Sequence, residues 1–187
     1  MSEAPEDLGA FLDDAWQLIG RGTVDSKSAA NRPALATVGA EGPAVRTVVL
    51  RAADREAGTL DIHSHRLAGK VAELRAEPRA ALHVWDAKRS LQMRLAGAAT
   101  VHVEDAAARA AFDALPEHGR TIYAVSPEPA AEIDAPSAPA FDADPWAGFA
   151  LIRLRLERIE LLHLGRERHS RAVYERSSGW RGRWLVP

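Results

Sequence analysis

The chain has 187 residues, a formal net charge of −2 and no cysteine. This length fits one domain, and the near-neutral charge gives no basic excess of the kind that indicates nucleic acid binding. The absence of cysteine excludes disulfides, thiolate metal sites and cysteine nucleophiles. The N-terminal stretch is acidic where a signal peptide would be basic, and no apolar run reaches the length of a membrane span. We therefore predict a cytoplasmic protein that spans no membrane.

The first half of the chain predicts helices and short strands in close succession. Residues 5–20 carry apolar side chains at helical spacing, with acidic residues early in the segment. The stretch "ALATVGAEGPAVRTVVLRA" predicts two strands around a turn at 40–42, and "TLDIHS" predicts a third. Residues 67–78 predict a short helix that ends before a proline.

The second half continues this pattern. Strands are predicted at 79–86 and 90–103, and a helix with acidic residues in its first turn is predicted at 104–115. Residues 126–146 are rich in Pro, Ala and acid without periodicity, which predicts a mobile surface loop. The stretch "GFALIRLRLERIELLHLG" alternates apolar and polar side chains, as a half-buried strand does. Two short strands, "RAVYER" and "RWLVP", close the chain.

The order of these elements predicts a mainly β fold. Most strands follow one another closely, as antiparallel pairs do, and the helices lie between or beside them. We predict one domain over residues 1–187, built as a closed or partly open β-barrel with flanking helices. No glycine-rich turn joins a first strand to a first helix, which argues against a Rossmann dinucleotide site.

Basic and hydroxyl side chains gather where a strand gives way to a helix, in "HSHRLAGKVAEL". Ser64, Arg66 and Lys70 would donate hydrogen bonds to a phosphate at the first turn of the helix. Gly69 would let the backbone approach such a ligand closely. The alternative, a helix that carries ordinary solvated basic residues, stays open.

Three other groups of polar residues are candidates for a ligand site. Arg46 and Arg51 bracket an apolar run and would lie on opposite strand faces unless a bulge or strand end intervenes; for Arg46 the alternative is a surface pair with an acid. Gln92 and Arg94 share one strand face. The stretch "RERHSRAVY" contains Arg171. The alternative to a ligand-binding role for this basic stretch is a charged hairpin edge that discourages strand addition.

The histidines give no recognisable metal-binding pattern. His63 and His65 share a strand face, but no Asp, Glu or Cys completes a ligand set at a known spacing. We therefore predict no metal site. The sequence also lacks a G-x-S-x-G elbow and a Walker loop, so it assigns no catalytic residue.

The ordered set "RTVVLR", "HSHRLAGKVAELRAEPRAALHVW" and "LQMRLAG" resembles the pyridoxamine 5′-phosphate oxidase-like family of FMN-binding split barrels. The resemblance covers residues 30–104 and resumes from "WAGFALIRLRLERIELLHLG" to the C-terminus. It implies a Greek-key split β-barrel of the FMN-binding type. It also implies a homodimer that holds FMN in clefts at the subunit interface. The cofactor contacts that it implies are Arg46, Thr47, Val48, Val49, Leu50, Arg51, His63, Ser64, Arg66, Gly69, Lys70, Gln92 and Arg171.

The sequence departs from the family in ways that bear on its substrate. The position directly before the phosphate-binding lysine, where the oxidase usually has Arg, is Gly69, and we hypothesise that Arg66 replaces the missing charge. The oxidase's Arg-x-His substrate clamp becomes "RHSR" with altered spacing. Its phosphate-holding Tyr and Arg have no clear match in "AAARAAFDALPEHGR". These departures argue against pyridoxamine phosphate as the substrate.

The resemblance implies an FMN-dependent oxidoreductase that acts on a small molecule the sequence does not identify. One alternative is a non-catalytic flavin-binding or flavin-carrier protein. Others are a haem-binding or a deazaflavin-binding split barrel, and haem would need a histidine ligand such as His63, His65 or His169.

Overall fold

The computed structural model describes residues 5–136 and 138–187, which contain five α-helices and eleven β-strands. The helices are α1 (Leu8–Val24), α2 (Gly69–Ala76), α3 (Ala106–Asp113), α4 (Glu117–Arg120) and α5 (Pro145–Gly148). The strands are β1 (Ala34–Gly39), β2 (Gly42–Thr47), β3 (Leu50–Asp54), β4 (Thr59–His65), β5 (Arg79–Asp86), β6 (Leu91–His102), β7 (Val125–Ser126), β8 (Ala140–Phe141), β9 (Phe149–Leu164), β10 (His169–Glu175) and β11 (Gly182–Leu185).

Nine of these strands form one antiparallel sheet that is organised around β9. One edge of β9 pairs along nearly its whole length with β6. Its other edge pairs first with β4 and then with β10. From β6 the sheet continues through β5 and β1 to β2, while β3 pairs with β4. Because β4 and β10 share one edge of β9, the sheet divides there into two parts, and the fold is the predicted mainly β split barrel with flanking helices.

The core follows from the alternation of side chains along the strands. Ile152, Leu154 and Leu156 of β9 are almost completely buried, while the charged residues between them are more exposed. They pack in one large cluster with inward-facing residues of the other strands and with α1, whose buried side chains recur at helical spacing. The barrel therefore has a continuous apolar interior with α1 packed against it.

A second, smaller cluster covers the other face of β4 and β9. Phe112 of α3 and Phe149 of β9 meet edge to face, with ring centroids 5.3 Å apart. Tyr123 meets Phe149 in the same manner at 4.9 Å, and Ala108 and Leu151 complete the buried cluster. This packing holds α3 against the outside of the barrel.

The structure corrects several predicted boundaries. The first helix begins at Leu8 and continues to Val24 instead of ending at residue 20. The second predicted strand is interrupted at residues 48–49, so it forms β2 and β3. None of the described helices is long and apolar enough to cross a bilayer.

The region predicted as a loop at 126–146 is partly ordered into short elements. β7 pairs with β8, and α5 begins inside the region at Pro145. The predicted mobility of this loop stays a prediction, and Ser137 lies outside the described residues.

Candidate functional site

The junction between β4 and α2 brings Ser64 and Lys70 together. Ser64 is buried near the end of β4, and Lys70 Nζ donates a hydrogen bond to its Oγ at 3.3 Å. The N-cap of α2 is Ala68, which has no side-chain acceptor for the N–H groups of the first turn. The start of α2 therefore places uncapped backbone donors next to an ammonium group and a hydroxyl.

Arg46 of β2 reaches the same junction and is held there by two side chains. Its Nη2 lies 2.6 Å from Glu73 Oε2 of α2, and its Nη1 donates to the Thr37 hydroxyl of β1. The Thr37 hydroxyl in turn donates to Glu73 Oε2 at 2.5 Å. The pair with an acid, named above as the alternative for Arg46, is thus the contact that the structure shows. We call Thr37, Arg46, Ser64, Lys70 and Glu73 the Lys70 cluster.

The charges of the Lys70 cluster influence one another. Burial lowers the pKa of Lys70, the positive charge of Arg46 lowers it further, and Glu73 partly opposes both effects. The hydrogen bond from the Thr37 hydroxyl is the largest influence on Glu73 and lowers the pKa of that carboxyl; Arg46 adds to this effect, while burial opposes it. With two cations against one carboxylate, the cluster retains a positive charge that favours an anionic ligand.

A separate cavity of about 480 Å³ lies between α3 and the outer face of the sheet. One wall is apolar and consists of alanine side chains of α3 together with Leu115. The opposite wall carries Arg51 of β3, Asp61 and His63 of β4, and Arg153 of β9. We call this cavity, with these walls, the α3 pocket.

The four polar side chains of the wall opposite α3 differ in how they are satisfied. Asp61 and Arg153 form a two-pronged ion pair with N–O distances of 2.8 and 2.7 Å. His63 packs edge-on against Phe149 with ring centroids 5.0 Å apart, and its buried Nδ1 has no hydrogen-bond partner among the described residues. Arg51 is exposed and makes no hydrogen bond or ion pair within the described part of the chain.

The imidazole of His63 is neutral at pH 7. Burial lowers its pKa to about 4, and the positive charge of Arg51 contributes while Asp61 opposes the shift. The pocket therefore carries one unmatched positive charge, on Arg51, beside a neutral imidazole.

The other predicted residues of the β2–β3 stretch have different environments. Thr47 is exposed at the end of β2. Val48 and Leu50 are buried in the core, and the Val48 N–H donates to the Pro33 carbonyl at 3.0 Å. Val49 lies between the two strands, outside both ladders.

Arg66 and Gly69 lie beside the Lys70 cluster without a side-chain hydrogen bond to it, and their contacts with a cofactor stay predictions. Arg66 Nη1 lies 2.6 Å from Glu104 Oε1 and 3.3 Å from the Ala147 carbonyl oxygen, so its charge is matched outside the Lys70 cluster. Gly69 is the exposed first residue of α2. A Cβ there would contact only Glu73 Oε1, at 3.7 Å, so the local backbone does not require glycine.

Gln92 and Arg171 lie near the opposite end of β9 from Ser64. Both are paired with Leu162, from β6 and β10 respectively, whereas Ser64 is paired with Ala150. Arg171 Nη2 is 2.8 Å from the buried carboxylate of Glu160. Within one chain, these two residues are not part of the Lys70 cluster.

The sequence did not identify Thr37 and Glu73 as members of the site. Glu73 follows Lys70 by three residues, a spacing that puts two side chains on one side of a helix. That signal was present, but it does not reveal that Arg46 is the partner. Thr37 carried no signal, because it is one alternating residue in a predicted strand.

The family comparison covers the whole Lys70 cluster. Residues 14–103, just under half of the chain, match the family model described as "Pyridoxamine 5′-phosphate oxidase, FMN-binding domain". The fold is a split β-barrel, and over these residues the chain is similar to the FMN-binding domain of pyridoxamine 5′-phosphate oxidase-related proteins. The resemblance predicted from the sequence is confirmed. A search of curated proteins finds no match.

Solved structures with the same fold cover nearly the entire chain. A pyridoxamine 5′-phosphate oxidase-related, FMN-binding protein from Nostoc punctiforme is 22% identical, with 100% of both chains covered and a TM-score of 0.75. PhzG from Burkholderia lata, solved with tetrahydrophenazine-1-carboxylic acid, is 19% identical over 98% of this chain and 94% of its own, with a TM-score of 0.69. A protein from Clostridium acetobutylicum related to general stress protein 26 is 12% identical over 92% and 99%, with a TM-score of 0.61. At these identities the similarity establishes the fold.

Proposed function

We propose that the chain binds FMN with its phosphate at the Lys70 cluster and acts as an FMN-dependent oxidoreductase on a small molecule in the α3 pocket. The observation that carries this proposal is the convergence of Arg46, Ser64 and Lys70 at the uncapped start of α2. These groups are hydrogen-bond donors, and a phosphate is an acceptor at all of its oxygens.

The residues present fit the phosphate of FMN. The Lys70 ammonium is directed by Ser64 and retains further N–H groups for a ligand. The backbone around Val49 lies outside both ladders, so its polar groups are available to hydrogen-bond the edge of a flavin ring. FMN, when bound, supplies the hydride and electron transfer chemistry. The chain would bind and orient the cofactor through Arg46, Ser64 and Lys70.

The α3 pocket supports a substrate with an apolar body and one negative charge. The alanine-rich wall offers apolar contact, and Arg51 is the unmatched cation opposite it. His63 lines the same cavity and adds no positive charge, because its imidazole is neutral. The crystal structure of PhzG with a ring carboxylic acid shows that this fold accommodates a ligand of that kind. His63 and Ser64 are consecutive in β4, so the pocket and the Lys70 cluster lie on opposite faces of one strand.

A homodimer with FMN at the interface is part of the proposal. Gln92 and Arg171 do not reach the Lys70 cluster within one chain, and a second copy would bring them to it. Val38, Val45 and Trp85 are 47%, 67% and 45% exposed on the outer face of the sheet, and Trp85 is paired directly with Gln92. An exposed apolar face of this kind is typical of a subunit contact.

An absorbance spectrum of the purified protein, followed by mass spectrometry of the released ligand, tests the cofactor. Flavin bands and the mass of FMN would support the proposal. The mass of a deazaflavin would instead identify a deazaflavin as the cofactor. Oxidation of a reduced nicotinamide in the presence of FMN and oxygen would identify an enzyme. If none of a panel of electron donors were oxidised, a non-catalytic flavin carrier would be favoured.

Haem is the second candidate, because His63 lines the α3 pocket and its imidazole is neutral, as a ring that ligates iron must be. A Soret band that disappears in His63→Ala would establish this alternative. A protein with flavin bands and no Soret band would exclude it.

Lys70→Ala tests the phosphate site directly. Loss of one charge-assisted contact should weaken FMN binding by about 1–3 kcal/mol, measured by calorimetric titration of flavin-free protein. Arg75→Ala is the matched control, because Arg75 is exposed on the same helix, and it should leave the affinity unchanged. Equal affinities of the wild type and Lys70→Ala would show that the phosphate does not bind at this cluster.

A further inference from the structure

The carboxylate of Glu73 lies between β1 and the start of α2. Its Oε2 accepts hydrogen bonds from Thr37 and Arg46. Its Oε1 lies 3.7 Å from where a Cβ on Gly69 would be. The side chain is only 20% exposed. Glu73 therefore points back along α2, as helical side chains do, and reaches the first turn of its own helix.

This location is the one that an external anion would favour. The N-terminal end of a helix carries partial positive charge, and α2 has no side-chain acceptor at its N-cap. Lys70 and Arg46 add two full positive charges, and both interact electrostatically with Glu73. Glu73 thus supplies an internal anion to a group of donors that would otherwise be unmatched.

We propose that Glu73 sets the affinity of the chain for FMN, because its carboxylate competes with the flavin phosphate for Arg46. The inference rests on the proposed function, which puts that phosphate at the Lys70 cluster. A phosphate there either displaces Glu73 from the guanidinium or binds beside a like charge. Both events weaken binding, so Glu73 makes the cofactor more easily exchanged than Arg46 and Lys70 alone would.

The test compares FMN with riboflavin, which lacks the phosphate. Glu73→Gln keeps the size of the side chain and an acceptor oxygen for Thr37 but removes the negative charge. We expect it to bind FMN about tenfold more tightly than the wild type, the effect of one charge-assisted contact. Riboflavin affinity should stay unchanged. Both are measured by titrating the full-length, flavin-free chain and following flavin fluorescence.

Glu77→Gln is the matched control. It makes the same chemical change at the other end of α2, where Glu77 is paired with Arg79. Neither flavin should bind it differently from the wild type. Circular dichroism and thermal unfolding establish that each variant is folded, and Glu73→Ala, with the same expected direction, replaces Glu73→Gln if the latter does not fold.

The possible outcomes separate the two proposals. Unchanged or weaker FMN binding by a folded Glu73 variant, with normal binding by the wild type, would overturn the role of Glu73 and leave the proposed function intact. An equal gain for riboflavin would also overturn that role, because the effect would not involve the phosphate. Absence of flavin binding by the wild type and by both Glu73 variants would overturn the proposed function and this inference with it.

Discussion

The Lys70 cluster and the α3 pocket lie on opposite faces of β4, and they differ in how their charges are matched. In the cluster, Arg46 is already hydrogen-bonded to Thr37 and Glu73. In the pocket, Arg51 has no hydrogen bond or ion pair within the described residues. A ligand of the Lys70 cluster must therefore rearrange existing hydrogen bonds, whereas a ligand of the α3 pocket can pair with a cation that has no partner among the described residues.

This difference predicts that the two regions bind ligands in different ways. A network of paired charges holds its donors in place before a ligand arrives, and an anionic ligand binds there in competition with the carboxylate of Glu73. In the α3 pocket, a single exposed cation opposite an apolar wall selects small molecules by two properties, a negative charge and an apolar body that fits the cavity. Substitutions in the pocket should therefore separate effects on stability from effects on binding.

The largest expected effect on stability comes from the ion pair that forms part of the pocket wall. Breaking a buried pair costs about 3–5 kcal/mol, and Arg153 is 40% exposed, so we expect Asp61→Ala to lower the free energy of unfolding by about 2 kcal/mol. Urea unfolding measures this. Glu41→Ala, at an exposed turn, should change it by less than about 0.5 kcal/mol. Equal stability of the wild type and Asp61→Ala would show that the pair contributes nothing to the fold.

A smaller, pH-dependent effect is expected from His63. Its pKa is about 4 in the folded chain against 6.5 for a free imidazole, so between these values the unfolded state binds the proton and the folded state does not. Stability is therefore lost as pH falls below 6.5. Between pH 7 and pH 5.5, the free energy of unfolding of the wild type should therefore fall by about 1 kcal/mol more than that of His63→Gln.

Urea unfolding at both pH values checks this difference. His118→Gln, which removes an exposed histidine, should retain the wild-type dependence. If His63→Gln retained it as well, the imidazole would not be held neutral by the pocket.

The smallest effect on stability is expected from Arg51. Because its guanidinium is exposed and unpaired among the described residues, Arg51→Gln should change the unfolding free energy by less than about 0.5 kcal/mol. FMN affinity should also stay the same, in contrast to Lys70→Ala. Binding of 2-naphthoate, a small aromatic carboxylate, should weaken about tenfold, and binding of uncharged 2-naphthol should not change. An equal loss for both compounds would assign Arg51 a role other than charge recognition.

The fold class and the junction at the start of α2 were accessible from the sequence because both depend on neighbouring residues. Alternation along β9 and the basic residues between β4 and α2 are local patterns, and an ordered set of such patterns was enough to predict the family. The alternation of Ile152, Leu154 and Leu156 was also confirmed, because a strand with one buried face shows a period of two.

The partners of the charged side chains were decided only by the tertiary structure. Arg46 meets Glu73, Arg66 meets Glu104, and Asp61 meets Arg153. Each pair joins residues distant in sequence, which come together only after the register of the strands and the position of the helices are established. Local spacing shows which side chains share a face, but the choice of partner depends on folding of the whole chain.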